Sequence, residues 1–173
     1  MIRGNKAFDW KSQLQPEDLP YLAERIDANA WYPMATFERF GNAILHNVAN
    51  DDLQAVRMWG RFSVDEQRAQ RPELVVAGDP VETLQRFRVL RATFFDFAAI
   101  EITMLLDDQA EVVIDYGMGA KAEEAASFQT MGFFERQLEV AGATNVSGRL
   151  ALRSWAGDAR TLLKLDWELG PRR

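Results

Sequence analysis

One helical segment, residues 121–141, constrains the fold of this chain more than any other stretch. Its apolar side chains recur at steps of three and four residues, which places them on one face of a helix. They are Ala125, Phe128, Met131, Phe134, Leu138 and Ala141. Gly142 follows, where a left-handed residue commonly ends a helix. Because runs with a period of two lie on both sides, the pattern predicts a core helix between two β-hairpins.

The first flanking run predicts a hairpin with a defined register. A turn at residues 107–109 would place Ile102 opposite Ile114 and Met104 opposite Val112. The even-numbered face of both strands would then be apolar from residue 100 to 116, which favours this register.

The second run predicts a hairpin with a two-residue turn at 157–158. This turn would pair Leu152 with Leu163 on the inner face and Arg149 with Asp166 on the outer face. Opposite charges directly across a strand pair stabilise a sheet.

The region before these strands predicts helices. Residues 1–15 are interpreted as an extended arm or short strand anchored by Phe8 and Trp10, and residues 16–96 as a mainly helical part. Helices are expected to start at Pro16, at Met34 after the Trp31-Tyr32-Pro33 break, at Asp51 or Asp52, at Ser63 and at Asp79-Pro80, because these positions carry cap or first-turn residues.

These elements predict one α+β domain spanning residues 1–173. N-terminal helices are followed by a ββαββ half at 97–169, whose four strands form an antiparallel sheet packed on helices. The sequence contains no repeat or linker that would divide it.

Composition excludes several classes of function. A net charge of −6 argues against nucleic-acid binding and against anionic lipid surfaces. The chain has no cysteine, so it has no disulfide, thiolate nucleophile or cysteine zinc site. No apolar run is long enough for a membrane helix or a signal peptide, and a cytoplasmic location is expected.

Two sequence clusters admit a chemical interpretation and a structural one. The acids Glu101, Asp107, Asp108, Glu111 and Asp115 could form a catalytic or cation site, but a hairpin turn with a solvated sheet face is favoured, because hairpin tips are seldom buried. Residues 117–120 resemble an anion-binding loop. A helix-start turn is favoured there, because the acids at 123 and 124 would repel phosphate.

Aromatic residues suggest two binding features. An apolar ligand pocket could be lined by Phe37, Phe40, Phe94, Phe128 and Phe134, although such stripes also form ordinary core. Gly132 within the central helix costs about 1 kcal/mol relative to alanine, so a strand or another chain is expected to pack closely there. With Phe133, which lies off the apolar stripe, it is interpreted as an interaction patch.

Several motifs resemble those of a known superfamily. It contains bacterial haem-nitric-oxide-binding sensors, 4-vinyl-reductase-type domains and vesicle-tethering (transport protein particle) subunits, and the nearest resemblance is to uncharacterised myxobacterial proteins of similar length. The motifs are Trp31-Tyr32-Pro33, Trp59-Gly60-Arg61, residues 131–135, Gly142-Ala143 and residues 163–167. The resemblance implies a ligand-binding, regulatory or assembly role.

The chemistry of that superfamily is not expected here. The haem sensors use a histidine ligand and a Tyr-x-Ser-x-Arg motif, and the motif does not occur in this sequence. The single histidine, His46, lies about 180° from the predicted buried stripe of its helix, Phe37/Gly41/Ile44/Val48, and is interpreted as a surface residue. We therefore expect no cofactor, metal or catalytic residue.

The leading hypothesis is a non-enzymatic regulatory or adaptor domain that binds a protein partner and can self-associate. The alternative hypothesis is a sensor that holds a small apolar ligand between helices and sheet.

Overall fold

The computed structural model describes residues 7–27 and 30–170, which form two compact units, Met1–Leu53 and Gln54–Arg173. The predicted α+β order is confirmed: helices come first, and a four-stranded antiparallel sheet follows with helices packed on it. That residues 1–173 form a single domain stays a prediction.

The first unit is helical. It contains the helices α1, Pro20–Ala23, and α2, Met34–Asn47, with 3-10 turns at Trp10–Gln13 and Pro16–Asp18. The predicted extended arm is therefore wrong at residues 10–13, and its first six residues lie outside the described part. The reason is local packing: Trp10 is buried with Leu14 against Ala43 of α2, which a tight turn allows.

The buried face of α2 differs from the predicted stripe. Phe37 is 50% exposed and Gly41 is exposed, whereas Thr36, Ala43 and Leu45 are buried. The face is rotated because the Trp10 cluster packs on the small side chain of Ala43.

The second unit contains three long helices. They are α3, Leu53–Gln70, α4, Pro80–Leu90, and α5, Ala120–Val140. Asp79 caps α4 as predicted, since its carboxylate accepts a hydrogen bond from the Glu82 N–H at 2.8 Å. The predicted helix start at Ser63 is wrong. Its hydroxyl donates to the Gly60 carbonyl at 2.7 Å, and α3 continues because its neighbour Val64 is buried.

The sheet has four strands in the order β1-β2-β4-β3. They are β1, Ile100–Leu105, β2, Gln109–Ile114, β3, Ala143–Leu152, and β4, Thr161–Leu169. Every neighbouring pair is antiparallel. Its central side chains, including Val112, Ile114, Leu163 and Leu165, are almost completely buried. Burial of each such side chain contributes roughly 1.5–3 kcal/mol to folding.

The first hairpin has the predicted turn region but a different register. Ile102 pairs with Val112 rather than with Ile114, and a bulge follows before Met104 pairs with Glu111. A bulge inserts one unpaired residue and reverses the faces of the residues after it. Leu105 therefore pairs with Ala110, and Leu106 is left 50% exposed.

The second hairpin has a longer connection than the predicted two-residue turn. A 3-10 turn occupies Ser154–Ala156, and Gly157 takes the left-handed conformation with φ of 101°. Leu150, rather than Leu152, therefore lies opposite Leu163. The predicted Arg149–Asp166 pair is wrong, since Lys164 lies opposite Arg149.

Helix α5 is buried on more than one face. Met131, Phe134, Leu138 and Ala141 are buried as predicted, whereas Phe128 is half-buried. Polar side chains missed by the stripe are buried as well: Glu123, Ser127, Thr130, Glu135 and Gln137. The helix ends at Val140, and Gly142 beyond it takes the predicted left-handed conformation with φ of 101°.

Candidate functional site

A surface groove lies at one end of the sheet in the second unit and has a volume of about 800 Å³. Helix α4, the β1–β2 turn and the end of β4 line it. We call it the sheet-end groove and define it by Val81, Gln85, Leu105, Leu106, Asp107, Asp108, Trp167, Glu168 and Leu169. The backbone N–H of Trp167 donates to the Asp108 carbonyl at 2.9 Å, which ties the two sheet ends together.

Two leucines give the groove exposed apolar surface. Leu106 is 50% exposed and Leu169 is 53% exposed. Leu106 is exposed because the β1 bulge moves Leu105 into the position opposite Ala110. Exposed apolar side chains that share one concave surface are typical of an interaction site.

The groove also carries negative charge. Asp107, Asp108 and Glu168 are exposed, and in the described part of the chain the residues that line the groove include no lysine or arginine. The Glu168 carboxylate accepts a hydrogen bond from the Asn145 side chain at 2.9 Å. The acidic edge therefore has no cation of its own among the lining residues.

Trp167 contributes an unused hydrogen-bond donor. Its side chain is 4% exposed, and its indole N–H has no acceptor among the described residues. Buried donors are normally hydrogen-bonded in native proteins. The nitrogen atom is also shielded from solvent, so an acceptor from outside the chain does not reach this N–H without a rearrangement of the groove wall.

The predicted acid cluster is dispersed in the structure. Asp107 and Asp108 are exposed in the turn, while Glu111 forms an ion pair with Lys164 at 2.6 Å. The Asp115 carboxylate accepts the Gly117 N–H at 3.1 Å. Over residues 7–27 and 30–170 no group of three or more His, Cys, Asp or Glu side chains is arranged to hold a metal. The turn and sheet-face interpretation accounts for these positions.

The loop at 117–120 is a helix start, as favoured from the sequence. Gly117 has φ of 68°, and Gly119 is the N-cap of α5. The buried carboxylate of Glu123 accepts the N–H groups of Tyr116 at 2.9 Å and Met118 at 3.2 Å. Since these donors already bind a carboxylate, they are not available to an anionic ligand.

Gly132 has a different neighbour from those predicted. It is buried against α3, where an added β-carbon would lie 1.9 Å from the Arg57 carbonyl oxygen. Gly60 of α3 makes the reciprocal approach, since an added β-carbon there would lie 1.9 Å from the Gln129 carbonyl oxygen. A helix of the same chain, rather than a strand or another chain, therefore covers Gly132 and removes it from the predicted patch.

Phe133 is half-buried next to this crossing. Its ring lies 5.8 Å from the Phe87 ring and 5.5 Å from the Phe134 ring. The expectation that it is exposed is therefore only partly correct, because Phe87 of α4 covers one side. Its role in binding a partner stays a prediction.

A charged network joins α3 to α5 just beyond the glycines. Glu135 is 1% exposed, and its carboxylate accepts hydrogen bonds from Arg57 Nε at 2.9 Å and from the Gly148 N–H at 3.0 Å. Arg61 lies 3.4 Å from Glu135 and 2.6 Å from Glu139. Every charge therefore has a partner, and the network holds two helices and β3 together.

The five phenylalanines of the predicted pocket do not fall in one compact unit. Phe37 and Phe40 belong to the first unit, where Phe37 is exposed and Phe40 half-buried. Phe94, Phe128 and Phe134 belong to the second unit, and only Phe134 is fully buried there. A ligand pocket formed by all five stays a prediction.

His46 lies on the surface, as predicted. Its side chain is exposed, and Nδ1 is 3.0 Å from the Asp51 carboxylate. This is an ordinary surface contact in the first unit.

Sequence reasoning missed most residues of the sheet-end groove. It assigned Leu106 to an apolar inner face and considered Asp107 and Asp108 only as a turn or cation site. Val81, Gln85 and Leu169 gave no recognisable signal. A tryptophan near the end of β4, beside an exposed leucine, was the one available sign.

Comparisons with known proteins show similarity to solved structures. No protein-family model matches the sequence, and no curated protein matches it. The structure is similar to the crystal structure of trafficking protein particle complex subunit 3 from Naegleria fowleri, which is covalently bound to palmitic acid. The TM-score is 0.55 with 13% sequence identity, over 81% of this chain and 98% of that chain. This likeness shows a shared fold, and it agrees with the vesicle-tethering part of the sequence resemblance.

Within the described residues, no helix is both long enough and apolar enough to cross a membrane.

Proposed function

We propose that this protein is a non-enzymatic adaptor that binds a protein partner in the sheet-end groove, in the cytoplasm as expected from the sequence. The observation that carries the proposal is the pair of leucines, Leu106 and Leu169, each about half exposed in one groove. Apolar side chains in a concave surface gain free energy when a partner removes them from water.

The structural neighbour supports this class of function. It is a subunit of a trafficking protein particle complex, and subunits of complexes bind other proteins. The adaptor role comes to this chain as a proposal, because 13% identity carries the fold alone.

Self-association remains part of the proposal in a reduced form. Gly132 is covered by α3, so only the exposed part of Phe133 is available to a second copy. Light scattering of wild type and Phe133→Glu tests it. A dimer that becomes a folded monomer on substitution supports self-association, and a wild-type monomer at high concentration contradicts it.

A sensor for a small apolar ligand is the alternative. The palmitic acid bound to the structural neighbour favours it. The acidic groove opposes a free fatty acid as the ligand, because its exposed carboxylates would repel the fatty-acid carboxylate. Native mass spectrometry of protein from its own host tests this alternative. A retained apolar molecule supports it, and a bare mass contradicts it.

Affinity capture from a host lysate tests the adaptor proposal when wild type is compared with two substituted proteins. Leu106→Glu places a charge in the groove. Val89→Glu is the matched control, because Val89 is 79% exposed on α4 and does not line the groove. We expect a partner that wild type and Val89→Glu retain and that Leu106→Glu loses. If wild type and both variants capture the same set of proteins, the result would contradict the proposal.

A further inference from the structure

We infer that the sheet-end groove binds an extended peptide segment whose apolar side chains are flanked by lysine or arginine. The inference rests on the proposed adaptor function and names the chemistry of the partner. The charge of the groove and its exposed apolar surface both contribute to it.

The charge of the groove selects a basic partner. Asp107, Asp108 and Glu168 are exposed, and the lining residues described above include no compensating cation. Opposite charges at the edge of an interface steer association and exclude partners of like charge. An acidic peptide or a fatty-acid anion would therefore be disfavoured.

The apolar part of the groove requires hydrophobic side chains in the same segment. Leu106 and Leu169 are half exposed, and Leu105 and Val81 are half-buried beside them. The volume of about 800 Å³ falls within the range of ligand pockets, roughly 300–1,000 Å³. A purely cationic segment would leave this surface in contact with water.

An extended conformation lets one segment meet both requirements. In an extended segment, alternate side chains point to opposite sides. An alternating sequence can therefore place its apolar set in the groove while its basic set stays near the acidic rim.

Designed peptides with fluorescent labels test the inference. The probe is an octapeptide that alternates leucine and lysine; the controls alternate leucine with glutamate, and serine with lysine. By fluorescence anisotropy at 150 mM salt, we expect the Leu/Lys peptide to bind at least tenfold more tightly than either control. Equal binding of the Ser/Lys peptide would overturn the inference, because it would show attraction by charge alone.

Substitutions locate the binding. The double variant Leu106→Ser/Leu169→Ser is expected to weaken Leu/Lys binding at least tenfold, while Val89→Ser changes it less than twofold. Asp107→Asn/Asp108→Asn is expected to weaken it about fivefold and to reduce its dependence on salt. Circular dichroism confirms that each variant is folded. Unchanged binding in the leucine variant would overturn the inference.

The indole signal gives a readout that surface adsorption would not produce. In a ¹⁵N-labelled protein, the Trp167 Nε1–H resonance, assigned by its absence in Trp167→Phe, is expected to shift when the Leu/Lys peptide is added. If this resonance does not move at saturation, the inference fails. Capture of a lysate partner that depends on Leu106, without any Leu/Lys binding, would leave the adaptor function intact and overturn only the basic-segment inference.

Discussion

Gly132 of α5 lies directly against the backbone carbonyl of Arg57 in α3, and an added β-carbon would be 1.9 Å from that oxygen. Real β-carbons essentially never come within 3.0 Å of such an atom, so the helices would have to move apart. We predict that Gly132→Ala lowers the free energy of unfolding by about 2–3 kcal/mol, as overpacked sites do.

Urea denaturation measures the effect of Gly132→Ala, and Gly41→Ala is the matched control. Gly41 also lies within a helix, but an added β-carbon there meets nothing within 4 Å. Alanine at this position is expected to stabilise by about 0.5–1 kcal/mol, because it reduces the freedom of the unfolded chain. A stabilising effect at both positions would contradict the close crossing of α3 and α5.

Glu135 gives a second prediction at the same crossing. Replacement by glutamine keeps the shape and the hydrogen bond from Gly148 but leaves Arg57 and Arg61 without their buried charge partner. We expect Glu135→Gln to lower the free energy of unfolding by about 3 kcal/mol, the lower end of the cost of breaking a buried pair.

The control for this substitution is Glu139→Gln. The Glu139 carboxylate is about one-third exposed and also binds Arg61. Because exposed ion pairs contribute about 0–1 kcal/mol, Glu139→Gln should lower the free energy of unfolding much less than Glu135→Gln does. Equal losses in urea denaturation would show that Glu135 is not held as described.

Asp18 and Arg39 predict a pH dependence in the first unit. The Asp18 side chain is buried, and Arg39 donates to its two oxygens at 2.6 and 2.8 Å. These hydrogen bonds lower the pKa of Asp18 from 3.8 to about 2. A lowered folded-state pKa stabilises the fold above the ordinary value, and this stabilisation is lost as the pH falls from about 4 to 2.

Arg39→Met tests this linkage. The pKa of Asp18, followed by carboxyl ¹³C NMR, is expected to rise, and the variant should be less stable than wild type at pH 6 by about 3 kcal/mol. That difference should shrink between pH 4 and 2. Glu17→Gln is the control, because Glu17 is an exposed partner of the same arginine. A stability difference that stays constant down to pH 2 would contradict the account.

Tyr116 predicts that stability also depends on pH in the alkaline range. Its side chain is buried, its hydroxyl lies 2.6 Å from the Thr130 hydroxyl, and burial raises its pKa from 10.0 to about 12. Because a raised acid pKa disfavours ionisation in the folded state, its contribution to stability is lost between pH 10 and 12. Tyr116→Phe should remove that part of the alkaline loss in denaturation curves. An identical alkaline profile for both proteins would contradict it.

The sequence predicts the order of elements well because local signals determine it. Asp79-Pro80 starts α4, Gly142 follows the end of α5, and alternating apolar residues define the four strands. Each signal depends on a few neighbouring residues.

Register and site are less predictable because they depend on distant contacts. The bulge before Met104 and the 3-10 turn at 154–156 change which residues face each other, and neither has a clear local signal. The helical period could not identify Glu135 as buried, since its partners Arg57 and Gly148 lie far away in the sequence. The sheet-end groove likewise forms only when α4 and β4 meet the β1–β2 turn.

Hydrogen–deuterium exchange tests the central claim, partner binding at the sheet-end groove, most directly. The protein is measured alone and with the partner that wild type captures. We predict added protection in peptides that cover residues 80–85, 104–109 and 165–170, with no comparable change around Val89 or Phe133. Protection confined to other segments, with these three unchanged, would contradict the account.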